Sequence, residues 1–249
     1  MSWVLETAGL ERRFGGLVAT SDVTLRLEKG ARHALIGPNG AGKTTLVNLL
    51  TGVLAPSSGR ILLDGGDITG LRPDRLVARG LVRTFQINQL FPDLTPLESV
   101  ALAVSRRLRL DRGVWRRFGR DAEVVDDSVA LLERFGLLDA MNTPVRVLPY
   151  GRQRLLEIAI AIACAPRVLL LDEPAAGVPE AERDSILAAI AALPGDVTVL
   201  LIEHDMDLVF RFASRITVLV NGAILTEGPP AEIAADPRVR AVYLGAAHD

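Results

Sequence analysis

Eight consecutive residues, "GPNGAGKT" at 37–44, have the types and spacing to hold a polyphosphate. They complete the pattern G-x-x-x-x-G-K-[ST]. Gly37, Gly40 and Gly42 let backbone N–H groups turn inward around phosphate oxygens, with Pro38, Asn39 and Ala41 filling out the loop. A helix that follows directly points its positive end at the same anion. Lys43 supplies a point charge for the β- and γ-phosphates. Thr44 can place a hydroxyl on Mg²⁺, and Thr45 adds a donor beside it.

A phosphate loop alone does not separate kinases, GTPases and ATPases. The run "VLLLDEP" (168–174) ends in two acids. Asp172, at the carboxyl end of an expected strand, is placed for a Mg²⁺-bound water. Glu173, one residue on, projects to where a water attacks a γ-phosphate, and a carboxylate there can polarise or deprotonate it. His204 ends a further apolar run, "LLIEH", where an imidazole can bond a γ-phosphate oxygen. "DITG" (67–70) fits D-x-x-G of a GTPase. It lies too close to the phosphate loop, however, and the sequence has no N-K-x-D to read guanine.

These groups need elements to hold them. "HALIG" (33–37) is an apolar run feeding the loop, and "TTLVNLLTG" (44–52) predicts a helix ending at Gly52. "VLLLDEP" and "VTVLLIEH" (197–204) are near-continuous apolar runs, which suit strands buried on both faces of a parallel sheet. Between them Ile186, Leu187, Ile190 and Leu193 mark one helical face, giving a strand–helix–strand unit. "ITVLVNGAIL" (216–225) predicts a hairpin, since Asn-Gly suits a two-residue type I′ turn. Residues 89–163 carry helical patterns. They read as a helical subdomain inserted into an α/β core made of 1–88 and 164–249, the whole forming one domain over 1–249. Within the insert, "SRRLRLDRGVWRRFGRD" (105–121) holds seven arginines. It reads either as a contact with lipid headgroups or an acidic partner loop, or as a solvated insert whose arginines pair locally.

Composition narrows the setting. The chain has 249 residues, 49% hydrophobic and 23% charged, enough for a substantial core. A net charge of −2 gives no general attraction to nucleic acid or anionic lipid. The single cysteine, Cys164, excludes a disulfide framework and suits a reducing cytosol. The start, "MSWVLETAGLERRF", lacks the pattern of a signal peptide, and no apolar run approaches the roughly 18 residues of a spanning helix. The sequence therefore predicts a soluble chain whose membrane role, if any, comes through a partner.

The order of phosphate loop, "RTFQ" (83–86), "LPYGRQR" (148–154), "LLLDEP" and "EH" resembles the ATP-binding subunit of an ABC transporter, over essentially the whole chain. The resemblance implies an α/β P-loop NTPase (RecA-like) core with an antiparallel β subdomain and an inserted α-helical subdomain. It implies ATP and Mg²⁺ as ligands. Phe14 would stack on adenine, and Gln86 would sense Mg²⁺ and γ-phosphate and move with a membrane subunit. Leu148, Pro149, Tyr150, Gly151, Arg152 and Gln153 would form the signature segment, acting on ATP held by a second subunit, and Ala176–Pro179 would form the D-loop. Pro149 stands where many relatives have a serine, and Pro179 where an aspartate is common. Pro149 is expected at the first helical position, where its fixed φ and missing N–H are tolerated.

"GLVRTFQINQLFPDLTPLESV", the Arg-rich insert, "YGRQRLLEIA", "DEPAAGV" and "DPRVRAVYLG" are similar to the larger ATPase subunit of importers of branched-chain amino acids and related compounds. That resemblance implies a homo- or heterodimer of ATP-binding subunits, integral membrane permease subunits, a secreted substrate-binding protein acting indirectly, and a place on the inner face of the cell membrane. It implies no nucleic-acid partner. The alternative is a soluble ABC-type ATPase or an ATP-binding regulatory protein not attached to a transporter.

Overall fold

A computed structural model describes residues 3–84, 90–110 and 121–245. The chain divides into two compact units. The first is Met1–Leu81 with Arg167–Glu173 and Pro194–Asp249, and the second is Val82–Pro166 with Pro174–Leu193.

The first unit holds two sheets. In one, β1 (Trp3–Phe14) pairs antiparallel with β2 (Leu17–Val23), β3 (Arg26–Glu28) and β5 (Ser58–Leu63), and β6 (Gly66–Asp67) continues the edge beyond β5. This is the antiparallel subdomain implied by the resemblance. The other sheet contains β4 (Arg32–Ile36), β8 (Val168–Asp172), β9 (Thr198–Ile202), β10 (Arg215–Val220) and β11 (Ala223–Gly228). Its order is β11-β10-β4-β9-β8-β7, where β7 (Leu81–Arg83) is the strand on which the chain passes into the second unit. The β10–β4, β4–β9 and β9–β8 pairings are parallel.

Every residue of β8 and β9 is buried, which is why these runs are apolar without alternation. The β10–β11 hairpin closes at Asn221 (φ 49°) and Gly222 (φ 80°). Both turn residues have positive φ, as a type I′ turn requires. α1 (Lys43–Leu50) buries Leu46, Val47, Leu49 and Leu50, and the chain leaves it through Thr51 and Gly52. The helices α2 (Pro73–Val77), α7 (Met206–Phe212), α8 (Pro230–Ala235) and α9 (Pro237–Gly245) complete this unit.

The second unit is built on α3 (Pro96–Arg107), α4 (Ala122–Arg134), α5 (Tyr150–Ala163) and α6 (Glu180–Ala191). α3 opens with a capping box. The Glu98 carboxylate accepts from Thr95 N–H at 2.8 Å, and the Thr95 hydroxyl accepts from Glu98 N–H at 3.2 Å. α3 packs on α4 and α5, and α5 packs on α6. Of the Arg-rich insert, residues 111–120 lie outside the described residues. At its start Arg107 pairs with Asp127 of α4.

The division differs from the one read from sequence. Residues 82–84, 164–166 and 174–193 group with the helical unit rather than with the α/β core. The reason is packing. α6, with Ile186 and Ile190 buried, packs on α5 within the helical unit. Gly151 of α5 has no side chain because a Cβ there would lie 3.2 Å from Glu182 Cβ and 2.0 Å from its Oε2.

Candidate functional site

The carboxyl ends of β4, β9 and β8 form one edge, and register aligns them. Leu35 of β4 and Asp172 of β8 both pair with Ile202 of β9. The groups that could do chemistry follow these residues directly. Ligands of open parallel sheets bind at such an edge.

Gly37 follows β4 and Gly42 caps α1. A Cβ on Gly37 would come within 2.2 Å of Leu219 O, and one on Gly42 (φ 96°) within 2.6 Å of Ala19 O. The loop is therefore held against neighbouring backbone at both ends. The hairpin turn supports it as well, since Gly222 N–H donates to Ala41 O at 2.8 Å. Pro38 is half-buried, Asn39 and Gly40 are exposed, and Ala41 is buried. The first turn of α1 has no acidic residue and no side-chain cap, so its N-terminal N–H groups are left for an anion. Lys43 Nζ donates to Gly37 O at 2.6 Å and Pro38 O at 3.0 Å. Burial pushes its pKa down, while Glu173 and Asp172 act to raise it. Thr44 is exposed and Thr45 half-buried on the same first turn. This cradle fits a triphosphate.

Asp172 is buried at the end of β8. Glu173 takes φ 47°, a left-handed conformation uncommon for a residue with a side chain. It is held there by its N–H, which donates to Ile202 O at 2.9 Å. Its Oε1 lies 3.6 Å from His204 Nδ1. The predicted trio of Asp172, Glu173 and His204 is thus brought together with Lys43 inside the first unit. For Mg²⁺, Asp172 offers a buried carboxylate and Thr44 an exposed hydroxyl. No cluster of three or more His, Cys, Asp or Glu able to hold a metal occurs among the described residues. The donor set is too sparse to hold an ion alone, and fits one whose remaining ligands are phosphate oxygens and water. Gln86, the third expected metal-sensing residue, lies outside the described residues.

Phe14 ends β1 with 43% of its surface exposed, and the Arg12 guanidinium stacks 4.6 Å from its ring centre. It is not a core residue. Its open ring is available to a planar base.

The signature residues lie in the second unit. Leu148 is extended (φ −70°, ψ 141°). The sequence predicts Pro149 at the first helical position, and the structure corrects this. Its ψ of 149° makes it the N-cap of α5, one residue earlier. A helical ψ at Leu148 would clash with the proline ring, and the chain turns helical only after Pro149. Pro149 offers no side-chain acceptor, so the N-terminal turn of α5 carries no side-chain cap. Tyr150 is partly exposed and lies against Gly177 of the D-loop segment. Arg152 pairs with Asp139 at 2.7 Å. Gln153 turns back, its side-chain amide donating to Leu148 O at 2.9 Å.

Two residues of the neighbourhood are not singled out by sequence reasoning. Glu203 is buried at 2% exposure beside His204, whose N–H donates to Glu203 Oε2 at 3.1 Å. Arg154 is buried at 3%, bonds Glu157 at 2.7 Å and lies 5.1 Å from the Tyr150 ring. Glu203 ends an apolar run, a visible signal, whereas Arg154 sits among polar residues; the partners of both come from the fold.

Residues 20–176 match the ABC transporter family, and residues 223–249 match the branched-chain amino acid ATP-binding cassette transporter family. The chain is 43% identical over 251 residues to the high-affinity branched-chain amino acid transport ATP-binding protein BraF of Pseudomonas aeruginosa, with 98% of each chain covered. It is 42% identical over 251 residues to LivG of Escherichia coli, a protein of the same description, again with 98% of each covered. Among solved structures it is similar to the ADP conformation of MJ1267, an ATP-binding cassette of an ABC transporter. The TM-score is 0.86 at 30% identity, over 98% of this chain and 100% of that one. A nucleotide-free ATP-binding cassette from an ABC transporter matches with a TM-score of 0.84, also at 30% identity, over 98% and 99%.

Proposed function

Because the chain belongs to the ABC transporter family of ATP-binding proteins, we propose that it is the energy-coupling ATPase of an importer of branched-chain amino acids or closely related compounds. The observation that carries the reading is the single edge on which the phosphate loop, Asp172, Glu173 and His204 meet. The cargo rests on whole-length similarity to BraF and LivG and on the match at residues 223–249.

ATP enters with its adenine against Phe14 and its phosphates in the loop 37–45. Lys43 exchanges its bonds to Gly37 and Pro38 carbonyls for phosphate oxygens, at no loss of hydrogen-bond count. The N–H groups at the start of α1 face the same anion. Glu173 orients and deprotonates the attacking water, and His204 holds a γ-phosphate oxygen. Asp172 and Thr44, with Gln86, would hold Mg²⁺, which when bound would supply positive charge beside the phosphates.

Leu148–Gln153 act on the ATP held by a second ATP-binding subunit, identical or homologous. The uncapped N-terminal turn of α5 supplies N–H groups to that phosphate. No helix among the described residues is long and apolar enough to cross a membrane. Attachment to the inner face of the membrane is through permease subunits, and a secreted binding protein delivers the cargo to them.

The test is reconstitution. The chain is combined in proteoliposomes with the permease and ATPase subunits encoded beside it, and ATP-driven uptake of labelled leucine is measured with binding protein present. Uptake that stops with Lys43→Ala and is competed by isoleucine and valine supports the reading. Uptake of an unrelated solute, with no competition by these amino acids, overturns the cargo. ATPase activity that ignores the membrane subunits altogether overturns the coupling role.

A further inference from the structure

An open cavity of about 590 Å³, its Arg26, Glu28 and Arg215 exposed to solvent, lies in the first unit at the opposite edge of the sheet from the phosphate loop. Trp3, Arg26, Glu28, His33, Arg215 and Glu227 are on its wall. His33 and Arg215 stand at the amino ends of β4 and β10, whereas the nucleotide groups follow the carboxyl ends of β4, β8 and β9. The volume falls within the range of small-molecule sites, roughly 300–1,000 Å³.

One wall is a fixed polar chain. His33 is 1% exposed, and its Nε2 lies 2.7 Å from Thr217 Oγ1. Thr217 gives its proton to Glu227 Oε2 at 2.8 Å, so it accepts from His33, which carries its hydrogen on Nε2. Glu227 Oε1 accepts from Arg215 Nε at 2.6 Å. Each member is oriented by the next.

The other wall is a recognition face. Arg26 and Glu28 are two apart on β3 and share a face, about 7 Å apart along the strand. Trp3 of β1 pairs directly opposite Glu28. Arg26 is held by Glu6 through Nε at 2.8 Å, and its guanidinium lies 5.9 Å from the Trp3 ring. Its two Nη groups, like those of Arg215, make no further hydrogen bond among the described residues. The Glu28 carboxylate makes none at all among them. The cavity therefore presents guanidinium donors, an acceptor-only carboxylate and an indole within one small-molecule length. A purely anionic ligand would meet Glu28, and a purely cationic one would leave the Nη donors of Arg26 and Arg215 unanswered. An apolar one would strip water from all three groups with nothing in exchange.

We propose that this cavity binds a free α-amino acid. Its carboxylate takes the Nη fork of Arg26, its ammonium takes Glu28, and its apolar side chain lies on Trp3. The planar fork suits a carboxylate. Arg215 and Glu227 close the far side, with water filling the remaining volume. The inference rests on this cavity alone and holds whatever cargo the importer carries.

The test uses the full chain with Trp115→Phe, so that fluorescence reports Trp3, and L-leucine as probe. Saturable leucine binding is expected. Leucinamide, which lacks the carboxylate, and 4-methylpentanoate, which lacks the ammonium, should each bind at least about tenfold more weakly, as for a lost hydrogen bond to a charged group. Glu28→Gln and Arg26→Lys should each weaken leucine to a similar degree with ATP affinity unchanged, which also shows that the variants are folded. Three outcomes would overturn the assignment: no saturable change up to about 10 mM leucine, analogues that bind as tightly as leucine, or both variants binding leucine normally.

Discussion

His204 Nδ1 lies 3.6 Å from Glu173 Oε1, two side chains from neighbouring strands that meet just past the sheet. Glu173 reaches this place only with a left-handed φ of 47°, held by the bond from its N–H to Ile202 O. Such a conformation costs on the order of 1 kcal/mol or more and persists because the neighbouring strand fixes it.

Glu173→Gln keeps the shape and the backbone bond but removes the base. ATP binding should persist while hydrolysis falls by about 10²- to 10⁴-fold. Turnover and nucleotide affinity, measured side by side, check this. Near-normal turnover would place water activation on another group.

Phe14→Ala removes an exposed ring, not a core one. ATP affinity should drop by roughly 1–3 kcal/mol, the range for base–aromatic stacking, with the melting temperature of nucleotide-free protein little changed. Calorimetric titration and a melting curve separate the two readouts. A fall in melting temperature at constant affinity would make the ring structural.

His33 links stability to pH. Burial pushes its pKa down to about 4, with Glu227 acting upward and Arg215 downward. The unfolded chain takes up the proton near 6.5. The unfolded state therefore binds more protons between about 6.5 and 4, and stability is lost as pH falls through that window, by up to ~3 kcal/mol. Urea unfolding at pH 7 and pH 4.5 should show this loss, and His33→Gln should flatten it. An unchanged pH slope in the variant would assign the loss to other groups.

Pro149→Ser tests the N-cap. A serine there can accept from the N–H groups of Gly151 or Arg152, worth about 1 kcal/mol to the helix. Losing the proline frees the unfolded chain by roughly 0.4–1 kcal/mol, so the melting temperature should barely move. In the assembled transporter the hydroxyl also adds a donor for the partner's phosphate, and kcat/KM for ATP should rise by up to about tenfold. A lower kcat/KM in the serine form would show that the rigid proline start is the better one.

Much of the nucleotide site is legible in the amino-acid sequence itself. Spacing within "GPNGAGKT" specifies a phosphate cradle, because each glycine and the lysine are required locally. The unbroken apolar runs of β8 and β9 specify buried strands, and Asn221-Gly222 specifies its turn, since these are short-range properties of backbone and side chain. Three things are decided by tertiary structure. Strand order puts β9 between β4 and β8, and with it His204 beside Glu173, because pairing is a long-range choice that periodicity does not encode. The segment 174–193 joins the helical unit, where α6 packs on α5, a long-range contact that periodicity does not encode. The polar chain from buried His33 and Thr217 out to Glu227 and Arg215 joins residues 184 positions apart at its first link. Each is an ordinary polar residue in the sequence, and only the docking of β10 on β4 and of β11 on β10 makes them one network.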